Sequence, residues 1–245
     1  MYHCQIKIYF AGIACRAFAL MEQAAPLEHF THTFTQSDAP DAALAAHADV
    51  IFAGLAGLDA GEALQTLLAA KRADAELIVL AESSQEEEVG ASLAKLTDVW
   101  TYPMSDKMLR FRFLKWQQAY KLCRDFWQTS QYLDATIDHV PNLVWFKDKS
   151  GIHEKVNESF CRTGSKTKQQ VQGRSHAYIW DVEEDDPVCA ASEQEVMSSR
   201  QTRVAEEHIK TGEGMRTLMT YKSPLYDLDG SVMGTVGVAI DVTKE

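Results

Sequence analysis

The stretch SDKMLRFRFLKWQQAYKLCRDFWQTSQYLDATIDH, from Ser105 to His139, contains neither glycine nor proline. It is long enough for about ten turns at 3.6 residues per turn. Ser105-Asp106, placed just after Pro103, supplies an N-cap signal, so the pattern predicts one long helix. Leu109, Phe113, Trp116, Tyr120, Cys123 and Trp127 follow one another at intervals of four and three residues. That is the 3.5-residue seam of a coiled coil. A second stripe, Met108, Leu122, Phe126, Leu133 and Ile137, lies beside the first and leaves more apolar surface than one small neighbour covers. Read functionally, the helix is a connector that pairs in a homodimer through the six-residue seam and carries a signal between two domains. The plainer reading is the last helix of a first domain packed on its own sheet. Average helices are only three or four turns long, which favours the connector.

The 245 residues, 46% of them hydrophobic, suffice for two domains of ordinary size. MYHCQIKIYF is not a signal peptide, and no run approaches a membrane span, so no membrane partner is expected. Five scattered cysteines without a C-x-x-C pair fit a reduced, cytoplasmic protein. Residues 1–104 carry 5 basic against 14 acidic side chains, residues 105–139 carry 6 against 4, and residues 140–245 carry 13 against 17. An acidic first domain with no basic aromatic-interleaved stripe argues against nucleic acid as a partner. These shifts support three segments: a domain over 1–104, the helix over 105–139 and a second domain over 140–245.

Within the first segment, short β-branched or aromatic runs alternate with Ala-rich helical stretches, as in a doubly wound α/β domain. Strands are expected at Ile6 to Phe10, His29 to Phe34, Val50 to Phe52, Leu77 to Leu80 and Val99 to Tyr102. Helices are expected at Cys15 to Ala24, Ala39 to His47, Glu62 to Arg72 and Glu86 to Leu96. Five β-α units in this length point to a flavodoxin-like parallel sheet. Ala11-Gly12-Ile13-Ala14 lacks the spacing of a dinucleotide fingerprint.

The order of these elements, with Asp49-Val-Ile-Phe, Leu58-Asp59-Ala60-Gly61-Glu62 and Trp100-Thr101-Tyr102-Pro103, resembles a response-regulator receiver domain over about residues 4–120. The resemblance implies a metal held by acidic residues after strand one, an Asp acceptor after strand three, a Ser or Thr after strand four and a Lys before the proline. Here those places hold Ala11-Gly12-Ile13, Gly54, Ala81 and Tyr102. A hard divalent ion needs carboxylate oxygens, and phosphoryl transfer needs that ion and a cation to offset developing charge. The expectation is a pseudo-receiver without a phosphoacceptor, without catalysis and without a metal site, with Asp59 serving as a loop or cap residue.

Val140-Pro141-Asn142 stops the long helix and opens the second domain. Strands are expected at Leu143 to Phe146 and Ile152 to Val156, then a short helix at Glu158 to Thr163. Short segments at Lys168 to Val171 and His176 to Trp180 lead into a helix over Pro187 to Ser199. Three long strands follow at Arg203 to Lys210, Met215 to Pro224 and Ser231 to Val242. This order describes an α+β domain with one antiparallel five-stranded sheet.

Phe146-Lys147-Asp148-Lys149-Ser150-Gly151-Ile152, Val156-Asn157-Glu158-Ser159-Phe160, the Asp227 to Gly230 turn and Ala239-Ile240-Asp241-Val242-Thr243 together resemble a PAS sensory domain. The resemblance implies a pocket between sheet and short helices. Trp145, His176, Tyr178, Trp180, His208, Met219 and Tyr221 are the candidate wall residues, of types that suit a small polar or aromatic ligand. His153 is expected at the surface, and Cys161 is expected to be a small core residue. No cofactor is expected. Haem-binding versions take an axial His, which Pro187 to Ser199 lacks, and Phe160-Cys161-Arg162-Thr163 is not the photosensory flavin motif. The resemblance also implies an output domain, a diguanylate cyclase with a GGDEF motif or a histidine kinase, which the 245 residues do not include. The combined expectation is a non-enzymatic sensory input module. Its competitor is a ligand-free dimerisation module.

Overall fold

The computed structural model describes residues 3–184, 187–211 and 214–243, so the expected outer domain limits at residues 1 and 245 lie outside the described residues. The chain divides into two units, Met1–Gln128 and Thr129–Glu245.

In the first unit, β1 (Cys4–Ala11), β2 (Phe30–Ser37), β3 (Val50–Gly54), β4 (Glu76–Glu82) and β5 (Asp98–Tyr102) form one sheet in the order β2-β1-β3-β4-β5. Every pairing in it is parallel. Between the strands run α1 (Arg16–Glu22), α2 (Ala42–His47), α3 (Ala60–Ala70) and α4 (Glu86–Gly90). Helices cover both faces, which is why Val50 to Ala53 and Leu77 to Leu80 read as unbroken apolar runs rather than alternating ones. Asp41 and Asp59 cap α2 and α3 by accepting from the amides of Leu44 (3.0 Å) and Glu62 (2.8 Å). The helix expected over 86–96 is shorter. It ends at Gly90, and only a 3₁₀ turn at Leu93–Lys95 follows, as a glycine with no side chain to hold the helix allows.

The long helix, α5 (Asp106–Asp138), is continuous over 33 residues. Its assigned seam is corrected by the packing of the first unit. Leu109, Phe113, Trp116 and Tyr120 are buried in the core against Phe52, Trp100 and Phe30, and Trp116 Nε1 donates to a Glu76 carboxylate oxygen at 2.7 Å. These four side chains cover one face of the chain's own sheet and leave nothing for a partner helix. Cys123 and Trp127 are exposed beyond that core. The boundary between units therefore falls inside α5, after Gln128, rather than at its ends.

The second unit holds β6 (Leu143–Asp148), β7 (His153–Val156), β8 (Arg203–Thr211), β9 (Gly214–Tyr226) and β10 (Val232–Asp241) in the order β7-β6-β10-β9-β8, antiparallel throughout. The helices α6 (Glu158–Gly164), α7 (Lys168–Val171), α8 (His176–Trp180) and α9 (Pro187–Ser199) lie between β7 and β8 in the chain. Asp148 makes the β6–β7 turn by accepting from the amides of Ser150 (2.8 Å) and Ile152 (2.9 Å), with Gly151 at φ 78°. Among the described residues, no helix is long and apolar enough to cross a membrane.

Candidate functional site

Strand alternation decides what the second unit's interior contains. Side chains at every second residue share a face, so Leu143, Trp145 and Lys147 of β6 point the same way, as do Leu218, Thr220 and Lys222 of β9. The register sets Gly237 of β10 between Trp145 and Lys222. The Trp145 indole lies directly over Gly237, where an added Cβ would fall 2.2 Å from the ring. Phe160 stacks its edge near Trp145 (6.0 Å between centroids), Trp180 (5.6 Å) and His153 (5.4 Å). These rings, with Thr220, Glu207 and Cys189, line a cavity of about 30 Å³.

Two buried lysines lie at this interior face. Lys147 Nζ donates to Glu193 Oε1 at 2.6 Å. Lys222, only 2% exposed, donates to Ser192 Oγ and Glu207 Oε1, both at 2.7 Å, and lies 3.4 Å from Cys189 Sγ. Cys189, Ser192 and Glu193 stand at i, i+3 and i+4 on α9, so a single helix face presents all three. Burial works against the Lys222 charge, yet Cys189, Glu207 and Glu193 around it outweigh burial and hold its pKa above the usual lysine value. Burial pushes the Cys189 thiol up, despite the two nearby lysines. Burial, then the charge of Lys147, pushes His153 down to about 3. The imidazole is neutral, and its Nδ1–H donates to the Arg174 carbonyl at 3.1 Å.

The predicted wall residues divide by strand parity. Trp145, His176 and Trp180 line the cavity. Tyr178 is exposed, with Lys166 and Arg174 lying 5.8 and 4.9 Å from its ring centre. His208 bonds Thr217 on the outer face at 3.2 Å. Met219 and Tyr221 are also on that outer face, alternating with inward Leu218, Thr220 and Lys222. Choosing aromatic and polar types along β9 selected the wrong parity. Lys147, His153, Glu207 and Thr220 were missed. His153 is buried rather than at the surface, because β7 turns it under Phe160.

One residue ties the end of α5 to this core. Asn157, fully buried, accepts from the amides of Val144 and Phe160 (both 3.0 Å) and donates to the carbonyls of Ile137 (2.7 Å) and Asn142 (2.8 Å). Asp138 adds a cap on α6 through the Glu158 amide (3.1 Å) and an ion pair with Lys168 (2.6 Å).

The first unit presents the opposite picture at the carboxyl ends of its strands, the usual ligand crevice of an open parallel sheet. Gly54, at the end of β3, lies under Phe18 of α1, and an added Cβ would meet the Phe18 ring at 3.0 Å. Gly12 sits at φ 128° with its missing Cβ 2.3 Å from the Gly54 carbonyl oxygen. Aromatic packing and backbone contact close the crevice. Asp59 is engaged as the α3 cap. The donor set Ala11, Gly12 and Ile13 does not fit a hard metal ion. Among the described residues, no cluster of three or more His, Cys, Asp or Glu side chains is arranged to hold a metal.

Comparison with known proteins bears on the second unit. Residues 137–245 match the family model of the PAS fold. No curated protein matches the chain. Among solved structures, the PAS domain of a Colwellia psychrerythraea protein is 16% identical, with 48% of this chain and 99% of that one covered at a TM-score of 0.42. The PAS domain of Bordetella pertussis BvgS is 20% identical, with 48% and 88% covered at 0.35. That of an HTR-like protein from Haloarcula marismortui is 19% identical, with 50% and 99% covered at 0.39. The identification rests on the family model together with the antiparallel five-stranded sheet and its short helices: residues 137–245 are a PAS domain.

Proposed function

We propose that this chain is a non-catalytic sensory input module of a cytoplasmic signalling protein, in which the PAS domain binds a small molecule and α5 conveys the change. The observation that carries the reading is the set Lys147, Glu193, Lys222 and Glu207 held at the interior face beside a small cavity. A core built for packing alone gains from hydrocarbon at such positions, because burying ion pairs costs desolvation that their attraction barely offsets. A recognition wall gives that cost a use. The reading assigns no haem or flavin.

In the same reading the first unit is a receiver-like, flavodoxin-type domain that has lost phosphorylation. Its strand order and the Phe18-covered Gly54 support this. Pairing of two chains uses the α5 face bearing Leu122, Phe126 and Leu133, spaced by four and seven residues. Leu122 and Phe126 are 70% and 74% exposed. That stripe is also what favours the second reading, a ligand-free dimerisation module. The sequence resemblance favours a diguanylate cyclase as the output partner over a histidine kinase.

Native mass spectrometry of the purified chain, repeated after denaturation, tests the sensor reading. A dimer carrying extra mass that denaturation removes is the expected result. A dimer of bare chains favours the dimerisation module, and a monomer removes the pairing.

A further inference from the structure

We infer that Cys189 and Lys222 form a covalent sulfur–nitrogen cross-link when a hydroperoxide reaches the PAS interior, which makes the pair a redox-sensitive modification site. The cross-link needs no bound ligand and so stands apart from the sensor reading above.

Cys189 of α9 and Lys222 of β9 are both buried, and Lys222 Nζ lies 3.4 Å from Cys189 Sγ although 33 residues separate them in the chain. The amine nitrogen thus already touches the atom it joins, on a flexible four-carbon stem. Each partner also has a carboxylate to take its proton. Glu193 Oε1 is 3.7 Å from Cys189 Sγ, and Glu207 Oε1 is 2.7 Å from Lys222 Nζ.

The cavity of about 30 Å³, lined by Cys189 and Glu207, has room for the oxidant. About 10–15 Å³ of such space holds one water, so a molecule of two oxygens such as hydrogen peroxide fits. Thr220, 1% exposed and two residues before Lys222 on the same face of β9, lines the same cavity with a hydroxyl that has no hydrogen-bond partner. A buried hydroxyl left unmatched favours a small molecule that hydrogen-bonds to it.

In the first step the thiol gives its proton to Glu193 and the thiolate sulfur attacks one peroxide oxygen. The O–O bond breaks as the S–O bond forms, and the departing hydroxide recovers the proton from Glu193 as water. Sulfur is oxidised by two electrons to the sulfenic acid, and the peroxide is reduced. Lys222 then passes one proton to Glu207, and its lone pair attacks the sulfenic sulfur. The S–N bond forms as the S–O bond breaks, and the hydroxide leaves as water with a second proton from the nitrogen. One peroxide is consumed, two waters are released, and the chain is lighter by two hydrogens. Burial pushes the Cys189 thiol up, so thiolate is scarce and the first step is slow, while the thiolate that does form is the stronger nucleophile for the same reason. Closure removes the Lys222 charge, neutralises Glu207 and fastens α9 to β9.

The test treats the full chain with hydrogen peroxide, blocks free thiols with iodoacetamide under denaturing conditions and weighs the tryptic peptides. We expect the peptide 175–200, which holds Cys189, joined to 217–244, in which Lys222 is left uncut, at a mass two hydrogens below their sum. Dithiothreitol should separate them. Lys222→Arg keeps a cation beside Glu207 and should abolish the joined species. Recovery of Cys189 in the parent chain as the blocked thiol, or as sulfinic or sulfonic acid on an unjoined 175–200, overturns the cross-link. A join to any lysine other than Lys222 overturns the pairing. None of these outcomes bears on the sensor reading, which native mass spectrometry decides separately.

Discussion

The carboxyl edge of the first unit's sheet and the inner face of the PAS sheet use sheltered positions in opposite ways. At the carboxyl edge of its parallel sheet the first unit has glycine and alanine where chemistry would need acids, and Phe18 lies over Gly54. The PAS domain buries lysines, carboxylates, a thiol, a histidine and an unpartnered hydroxyl around a small void. Buried polar groups carry a cost wherever they occur, so the contrast is between a crevice lined without them and an inner face built with them. The first unit closes its strand ends by packing, although it too buries polar atoms on His32 and Gln117 elsewhere. The second has retained a polar interior at the expense of stability.

Substitutions can break this comparison. The largest effect is expected from Lys147→Met, which strands the Glu193 carboxylate in the core and destabilises the PAS domain by about 3–5 kcal/mol. Adding Glu193→Leu restores stability to within about 1 kcal/mol of the parent or exceeds it. Hydrogen exchange of β6 and β9 amides in the full chain reads both. A negligible effect of Lys147→Met would show that the cluster is solvated and that the contrast is empty.

Acid titration sharpens it. The folded-state value for His153 is depressed from 6.5 to about 3, so folding favours the neutral ring. The associated stability is fully present above pH 6.5 and is lost as pH falls from there toward 3, by an amount on the order of a few kcal/mol. His153→Phe should flatten that slope in the PAS amides. An unchanged slope would assign the acid sensitivity elsewhere. His32 in the first unit, also lowered by burial, gives a slope of the same sign there.

A smaller effect is expected from Gly54→Asp, which places a carboxylate under the Phe18 ring. Overpacking there costs about 1–3 kcal/mol. Incubation with acetyl phosphate and a magnesium salt should leave the variant unmodified by intact mass, because no neighbouring carboxylates hold the ion. Uptake of phosphate would mean the crevice opens more readily than its packing implies. The smallest stability change belongs to Phe126→Ser on the exposed side of α5, within about 0.5 kcal/mol. It should nonetheless shift sedimentation from dimer to monomer, whereas Trp116→Ala should unfold the first unit's core without acting on pairing directly.

Much of the architecture was legible because period and punctuation were strong. Pro187 to Ser199 is helical from end to end, and the Asp148 and Asp227 turns sit between the strands they were expected to join. The candidate site was only partly legible. Trp145 and Trp180 announce themselves by size, but Thr220 and Lys222 differ from Met219 and Tyr221 only in which side of a pleat they occupy. A one-residue shift of parity exchanges the two sets completely. The seam in α5 failed for a related reason. Spacings of three and four describe any buried helix face, and a sheet covers that face as well as a second helix does.

Asn157 carries a consequence of another kind. Its amide has two acceptor sites and two donors, and all four are used, each on the backbone of a different segment: Ile137, Asn142, Val144 and Phe160. No single pair of these segments satisfies it. It acts as a coincidence detector, complete only when the end of the helix, the following turn, the first PAS strand and the next helix have all arrived. Any message that leaves the domain by the last turn of α5 must either carry this amide along intact or break it, and breaking it alters all four segments at once.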